Sequence, residues 1–156
     1  MTRSALFALA LLAAAAACTS VPRPPQTAPG PDFLARNAAA RGVVTTPSGL
    51  QYFVVRSGAE DGAPPGPNDR VTFDYEGQLV TGEIFDSSFA RGEPLGGGVG
   101  DFVPGFTEAL MLMRPGDEWI VWIPPELGYG DRAAGPIPPG SVLRFRLVLH
   151  SVAPAG

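Results

Sequence analysis

The chain has 156 residues and a formal net charge of −4, with 20 glycines, 18 prolines, 45% hydrophobic residues and 17% charged ones. One histidine, one cysteine and 11 basic residues, all of them arginine, exclude a Cys/His metal cluster, a Ser-His-Asp triad, an internal disulfide, a Schiff-base lysine and a P-loop. The acidic balance argues against nucleic acid, which is bound through clustered positive charge, and the apolar content points to one folded domain despite the many glycines and prolines.

Residues 1–17 carry Arg3 and then an unbroken apolar and small run from residue 5 to 17. That run is too short to span a bilayer as a helix, which takes about 20 residues, and has the form of a secretory signal peptide. It ends in Ala15-Ala16-Ala17-Cys18, which resembles a bacterial lipobox, with Ala15 where leucine is preferred. The expectation is that Cys18 is acylated and becomes the mature N-terminus; the alternative is ordinary cleavage after Ala17 and a soluble periplasmic protein. Thr19 is not the aspartate linked to inner-membrane retention, so the expected location is a bacterial cell envelope, anchored to the outer membrane and facing the periplasm. Residues 18–31 form the lipidated cysteine and a tether with Pro22, Pro24, Pro25, Pro29 and Pro31. A short helix is predicted over residues 32–42, with Asp32 as N-cap, Phe33, Leu34 and Asn37 along one side, and Gly42 as its stop. So short a helix cannot carry a dimer, and a monomer is expected.

Residues 43–152 form the predicted domain, with 153–156 as a tail. Its periodicity is mostly two: Leu50, Tyr52 and Val54; Val71, Phe73 and Tyr75; Leu143, Phe145, Leu147 and Leu149. Trp119 to Ile123 is apolar on both faces and reads as a central or covered strand. One internal helix is predicted, opened by Pro104, with Phe106, Ala109, Leu110 and Met113 on one face and Pro115-Gly116 ending it. The fold class is α+β, an antiparallel sheet with one short helix laid against it.

The motifs sit in and between these elements. They are Val71-Thr72-Phe73-Asp74-Tyr75-Glu76-Gly77, Phe85-Asp86-Ser87-Ser88, Val103-Pro104-Gly105-Phe106, Met113-Arg114-Pro115-Gly116, Ile123-Pro124-Pro125-Glu126-Leu127-Gly128-Tyr129-Gly130, and Ile137-Pro138-Pro139 with Leu143-Arg144-Phe145. In this order they resemble the FKBP-type peptidyl-prolyl cis/trans isomerases, and residues 42–52 resemble the lead-in of the bacterial envelope branch that includes the macrophage infectivity potentiators. The resemblance covers roughly residues 33–152.

The resemblance implies a sheet half-wrapped around the helix and an apolar pocket that receives a prolyl ring. It assigns Tyr75, Asp86 and Tyr129 as the polar, catalytic members, with Phe85, Phe102, Val103, Phe106, Ile137 and Phe145 lining the pocket and Phe106 as its floor. Leu95 stands in for a missing aromatic wall. It implies isomerisation of proline-containing segments of unfolded or envelope proteins, with no cofactor and no metal, and macrolide immunosuppressants as ligands. Two departures imply modest activity: Phe106 where the family usually has tryptophan, and Gly96-Gly97-Gly98-Val99-Gly100 where relatives carry a pocket wall. The alternative is a proline-binding chaperone or interaction module of the same fold. Taken singly, Asp86 reads as a turn residue, Arg91 as its ion-pair partner or a solvated surface group, and His150 as a strand-end surface residue.

Overall fold

The alternation of Val71, Phe73 and Tyr75 becomes β3 (Arg70–Leu79), whose burial switches with every residue, as a strand with one face on the core and one toward solvent must. The computed structural model describes residues 31–156, so the signal peptide, Cys18 and the tether before Pro31 lie outside the described residues. The remaining elements are α1 (Pro31–Ala38), β1 (Val44–Thr45), β2 (Gln51–Arg56), β4 (Ile84–Ser87), α2 (Ser88–Arg91), β5 (Leu95–Gly98), α3 (Pro104–Leu112), β6 (Glu118–Ile123) and β7 (Leu143–Ala153). The strands form one sheet in the order β1-β2-β6-β7-β3-β4, with β5 also pairing β3, and every pairing is antiparallel.

Trp119 to Ile123 lies between β2 and β7, as its two apolar faces require. Trp119, Val121 and Ile123 point into the core and Ile120 and Trp122 into a half-covered outer face. β2 departs from its alternation. Leu50 is fully buried, but Val54 is 38% exposed, because only the two-residue β1 lies beyond this strand at the sheet edge.

α3 packs its predicted face, Phe106, Ala109 and Leu110, onto the sheet, with Met113 just beyond its end also buried. Gly105 permits the approach: a Cβ there would meet Ile123 Cγ2 at 2.6 Å. The turn after α3 is held by buried Asp117, which accepts from the Gly58 and Arg114 amides at 2.6 and 2.9 Å.

Two expectations need correction. α1 begins at Pro31 and ends at Ala38, so Asp32 lies in its first turn rather than at the cap, and the chain reaches Gly42 through turns. Phe33, Leu34 and Asn37 are its half-buried residues, and Asn37 Nδ2 donates to Gln51 Oε1 at 2.8 Å while Gln51 Nε2 donates to the Leu34 carbonyl at 2.9 Å. A second helix, α2, follows β4: Ser87 caps it by accepting from the Ala90 amide, and Gly92 closes it with φ 71°.

Candidate active site

Where β3, β4 and β7 run side by side, inward-facing residues of three strands meet the first turn of α3, and aromatic rings fill the junction. Phe106 lies at the bottom, 5% exposed, with ring centroids of Phe102, Phe145 and Phe73 at 5.0, 5.1 and 5.3 Å and Tyr75 at 6.4 Å. Several pairs are near perpendicular, the arrangement that aromatic quadrupoles favour. Above them opens a cavity of about 500 Å³. Phe85 and Phe145 form one wall, edge to face at 5.6 Å; Leu95, Phe102 and Val103 line it as well.

The polar groups sit at the rim. Tyr75 donates its hydroxyl to Asp86 Oδ2, Arg91 Nη1 donates to Asp86 Oδ1 at 2.5 Å, and Arg91 Nη2 donates to the Tyr75 hydroxyl oxygen at 3.0 Å. The Ser87 amide adds a fourth bond, to Asp86 Oδ1 at 2.9 Å. Burial pushes the Asp86 carboxyl up, but Tyr75, Arg91 and the amide outweigh it and hold the group below the ordinary aspartate range. Burial, and then the bond to Asp86, push the Tyr75 phenol up, so it stays protonated as a donor. Tyr129 is 42% exposed at the mouth.

Ser88 fixes this group to β3. Fully buried, it accepts from the Tyr75 amide at 2.9 Å and donates to Asp74 Oδ1 at 2.6 Å. His150 Nε2 meets the other Asp74 oxygen at 2.7 Å, so the strand-end histidine has a partner on the sheet's outer side.

The cavity thus gathers Tyr75, Phe85, Asp86, Leu95, Phe102, Val103, Phe106, Tyr129 and Phe145. Ile137 stands apart. It is bridged to Ala134 through the backbone, belongs to the hydrophobic core at 5% exposed, and is not among the lining residues. The glycine segment is a strand, not a gap. Gly97 faces Phe102, whose Cζ would lie 3.1 Å from a Cβ there, so the missing side chain makes room for a ring that supplies wall. Sequence reasoning missed Phe73 and Asp101, which also line the cavity. Phe73 shares β3 parity with Tyr75, a signal already present; Asp101 carries none.

A family model described as FKBP-type peptidyl-prolyl cis-trans isomerase matches residues 62–150, and one for the domain amino terminal to such isomerases matches residues 22–54. The chain is 48% identical over 126 residues to the FKBP-type 22 kDa peptidyl-prolyl cis-trans isomerase of Escherichia coli K12, covering 80% of this chain and 60% of that protein. It is 44% identical over 126 residues to the outer membrane protein MIP of Legionella longbeachae, covering 80% and 53%. The chain therefore spans little more than half the length of these relatives. The crystal structure of FkpA from Escherichia coli superposes with a TM-score of 0.76 at 39% identity, covering 80% of this chain and 58% of that one. A peptidyl-prolyl cis-trans isomerase from Pseudomonas syringae superposes with 0.73 at 32% identity, covering 79% and 90%.

Proposed function

The chain belongs to the FKBP-type peptidyl-prolyl cis-trans isomerases, and from that premise we propose that it catalyses cis/trans isomerisation of X-Pro bonds in proteins of the cell envelope. The observation that carries this reading is the aromatic cup: a floor of Phe106 under walls of Phe85, Phe102 and Phe145, with polar groups confined to the rim.

Amide resonance sets the barrier, ~18–20 kcal/mol for a general peptide, and makes prolyl isomerisation take tens to hundreds of seconds. Twisting the bond abolishes that resonance and reduces the negative charge on the carbonyl. A site that grips the prolyl ring and strips water from the carbonyl therefore binds the twisted state better than the planar one, with no proton transfer and no covalent step. The aromatic cup supplies the grip and the dry surroundings. Arg91 and Tyr75 hold the Asp86 carboxylate at the rim, so no unpaired charge is drawn toward the apolar floor. Tyr129 stands where an exposed phenol can donate to a peptide carbonyl.

A protease-coupled assay on a proline peptide tests the reading. Acceleration over the buffer rate supports catalysis; peptide binding without acceleration makes the domain a proline-binding module. In the same proposal, Cys18 carries an acyl anchor, the tether holds a monomeric domain off the outer membrane, and macrolide immunosuppressants compete for the cup.

A further inference from the structure

The two carboxylates that line the cavity are not equivalent. Asp86 is answered by Arg91 at 2.5 Å and by the Tyr75 hydroxyl. Asp101, the last residue of the turn Val99–Asp101 that leads into Phe102, has no basic group in ion-pair contact among the described residues. Its Oδ2 accepts from the Gly98 amide at 2.8 Å, which fixes the carboxylate on the turn, and Oδ1 has no partner among the described residues. The carboxylate is also exposed to solvent.

With Asp86 neutralised by Arg91, Asp101 leaves the cavity with one uncompensated negative charge beside an otherwise apolar and uncharged lining. We propose that Asp101 is a specificity-determining residue that makes the site favour prolines flanked by an arginine or lysine and disfavour those flanked by an acidic side chain. The inference rests on the prolyl-isomerase reading of the same cavity. Its physical basis is that a cationic side chain entering beside the ring meets a carboxylate already held in place, so only the substrate side chain must be ordered. The preference is modest, roughly two- to five-fold, because the group is exposed and such pairs are screened.

The test measures kcat/KM with the intact chain on two peptide sets. One places Arg, Gln or Glu immediately before the proline, the other immediately after it. The expected result is an Arg-over-Glu preference in at least one set that shrinks as salt is raised from about 10 mM to about 1 M. Asp101→Asn should reduce it toward one, since asparagine keeps the acceptor for the Gly98 amide but not the charge. Asp61→Asn, which removes an exposed acid outside the cavity, should leave it in place and so separates a local pair from net charge. A ratio near one in both sets, or a preference that survives Asp101→Asn, overturns the proposal. If the Gln peptides bind but are not accelerated, the isomerase reading fails on its own; the Arg-over-Glu ratio of peptide dissociation constants from NMR titration, in wild type and Asp101→Asn, then decides the selectivity by the same criteria.

Discussion

Gly77 sits in β3 opposite Asp86 of β4 and Phe145 of β7, at the place where the rings of Phe85 and Phe145 lean over the strand. A Cβ there would lie 2.6 Å from both Cε2 and Cζ of Phe85 and 2.8 Å from Cε1 of Phe145. Carbon atoms in favourable contact are about 3.5–4.0 Å apart, so Gly77→Ala demands ring movements of about 1 Å. Phe145 is only 6% exposed and is held by Phe106, so Phe85, half-buried at the mouth, must yield most. Overpacking of this kind costs about 1–3 kcal/mol, and the displaced ring is the cavity wall. We expect the unfolding free energy to fall by that amount, read as a lower urea midpoint with an unchanged slope, and kcat/KM for a proline peptide to fall about tenfold or more. Gly96→Ala is the control, because nothing lies nearer than 3.9 Å to its Cβ and the position has no positive φ; it should be neutral or slightly stabilising. A Gly77→Ala protein with wild-type stability and activity would refute the placement of the rings.

Tyr75→Phe removes the hydroxyl shared by Asp86 and Arg91 while keeping the ring against Phe106; kcat/KM should drop severalfold with a stability loss of no more than about 1.5 kcal/mol, read by parallel kinetics and denaturation. Because the Asp86 carboxyl is held below its unfolded value, its stabilising contribution is complete above that value and is lost as pH falls through the folded pKa. The pH profile of kcat/KM should therefore stay flat down to about pH 4 and decline only below it; a decline centred near pH 6 would contradict the rim network. Cys18→Ala should abolish labelling by a fatty-acid probe and release the protein from membranes; continued labelling would remove the anchor from the account.

Strand parity was legible because β3 and β7 each bury one face: Tyr75 and Phe145 declare their side through the polar residues between them. The floor was legible from helical spacing, since Phe106 shares a face with Ala109 and Leu110. What escaped depends on register and turns. Nothing local says that Gly77 faces Phe85, because that requires the β3–β4 pairing with its irregularity at Gly77 and Gln78. For Arg91 the sequence leaves pairing with Asp86 and solvation both open, and α2, a single turn too short to leave a periodic signal, decides it by bringing Arg91 to Asp86. The place of Ile137 in the core cluster, away from the cavity lining, rests on how the loop from Tyr129 folds back, which no local pattern in the sequence shows. The glycines of β5 read as a wall lost or replaced by Leu95; Leu95 does line the cavity, and Gly97 leaves room for the Phe102 ring beside it.

The central claim is that an aromatic cup lowers the barrier to prolyl rotation with no covalent and no proton-transfer step. NMR exchange spectroscopy on an X-Pro peptide measures that rotation directly, with no coupled protease. The account predicts cis/trans exchange cross-peaks that grow with protein concentration, weaken in Tyr75→Phe, and show no substantial slowing in heavy water. Peptide shifts that titrate with the protein while the cis and trans signals fail to exchange would contradict it.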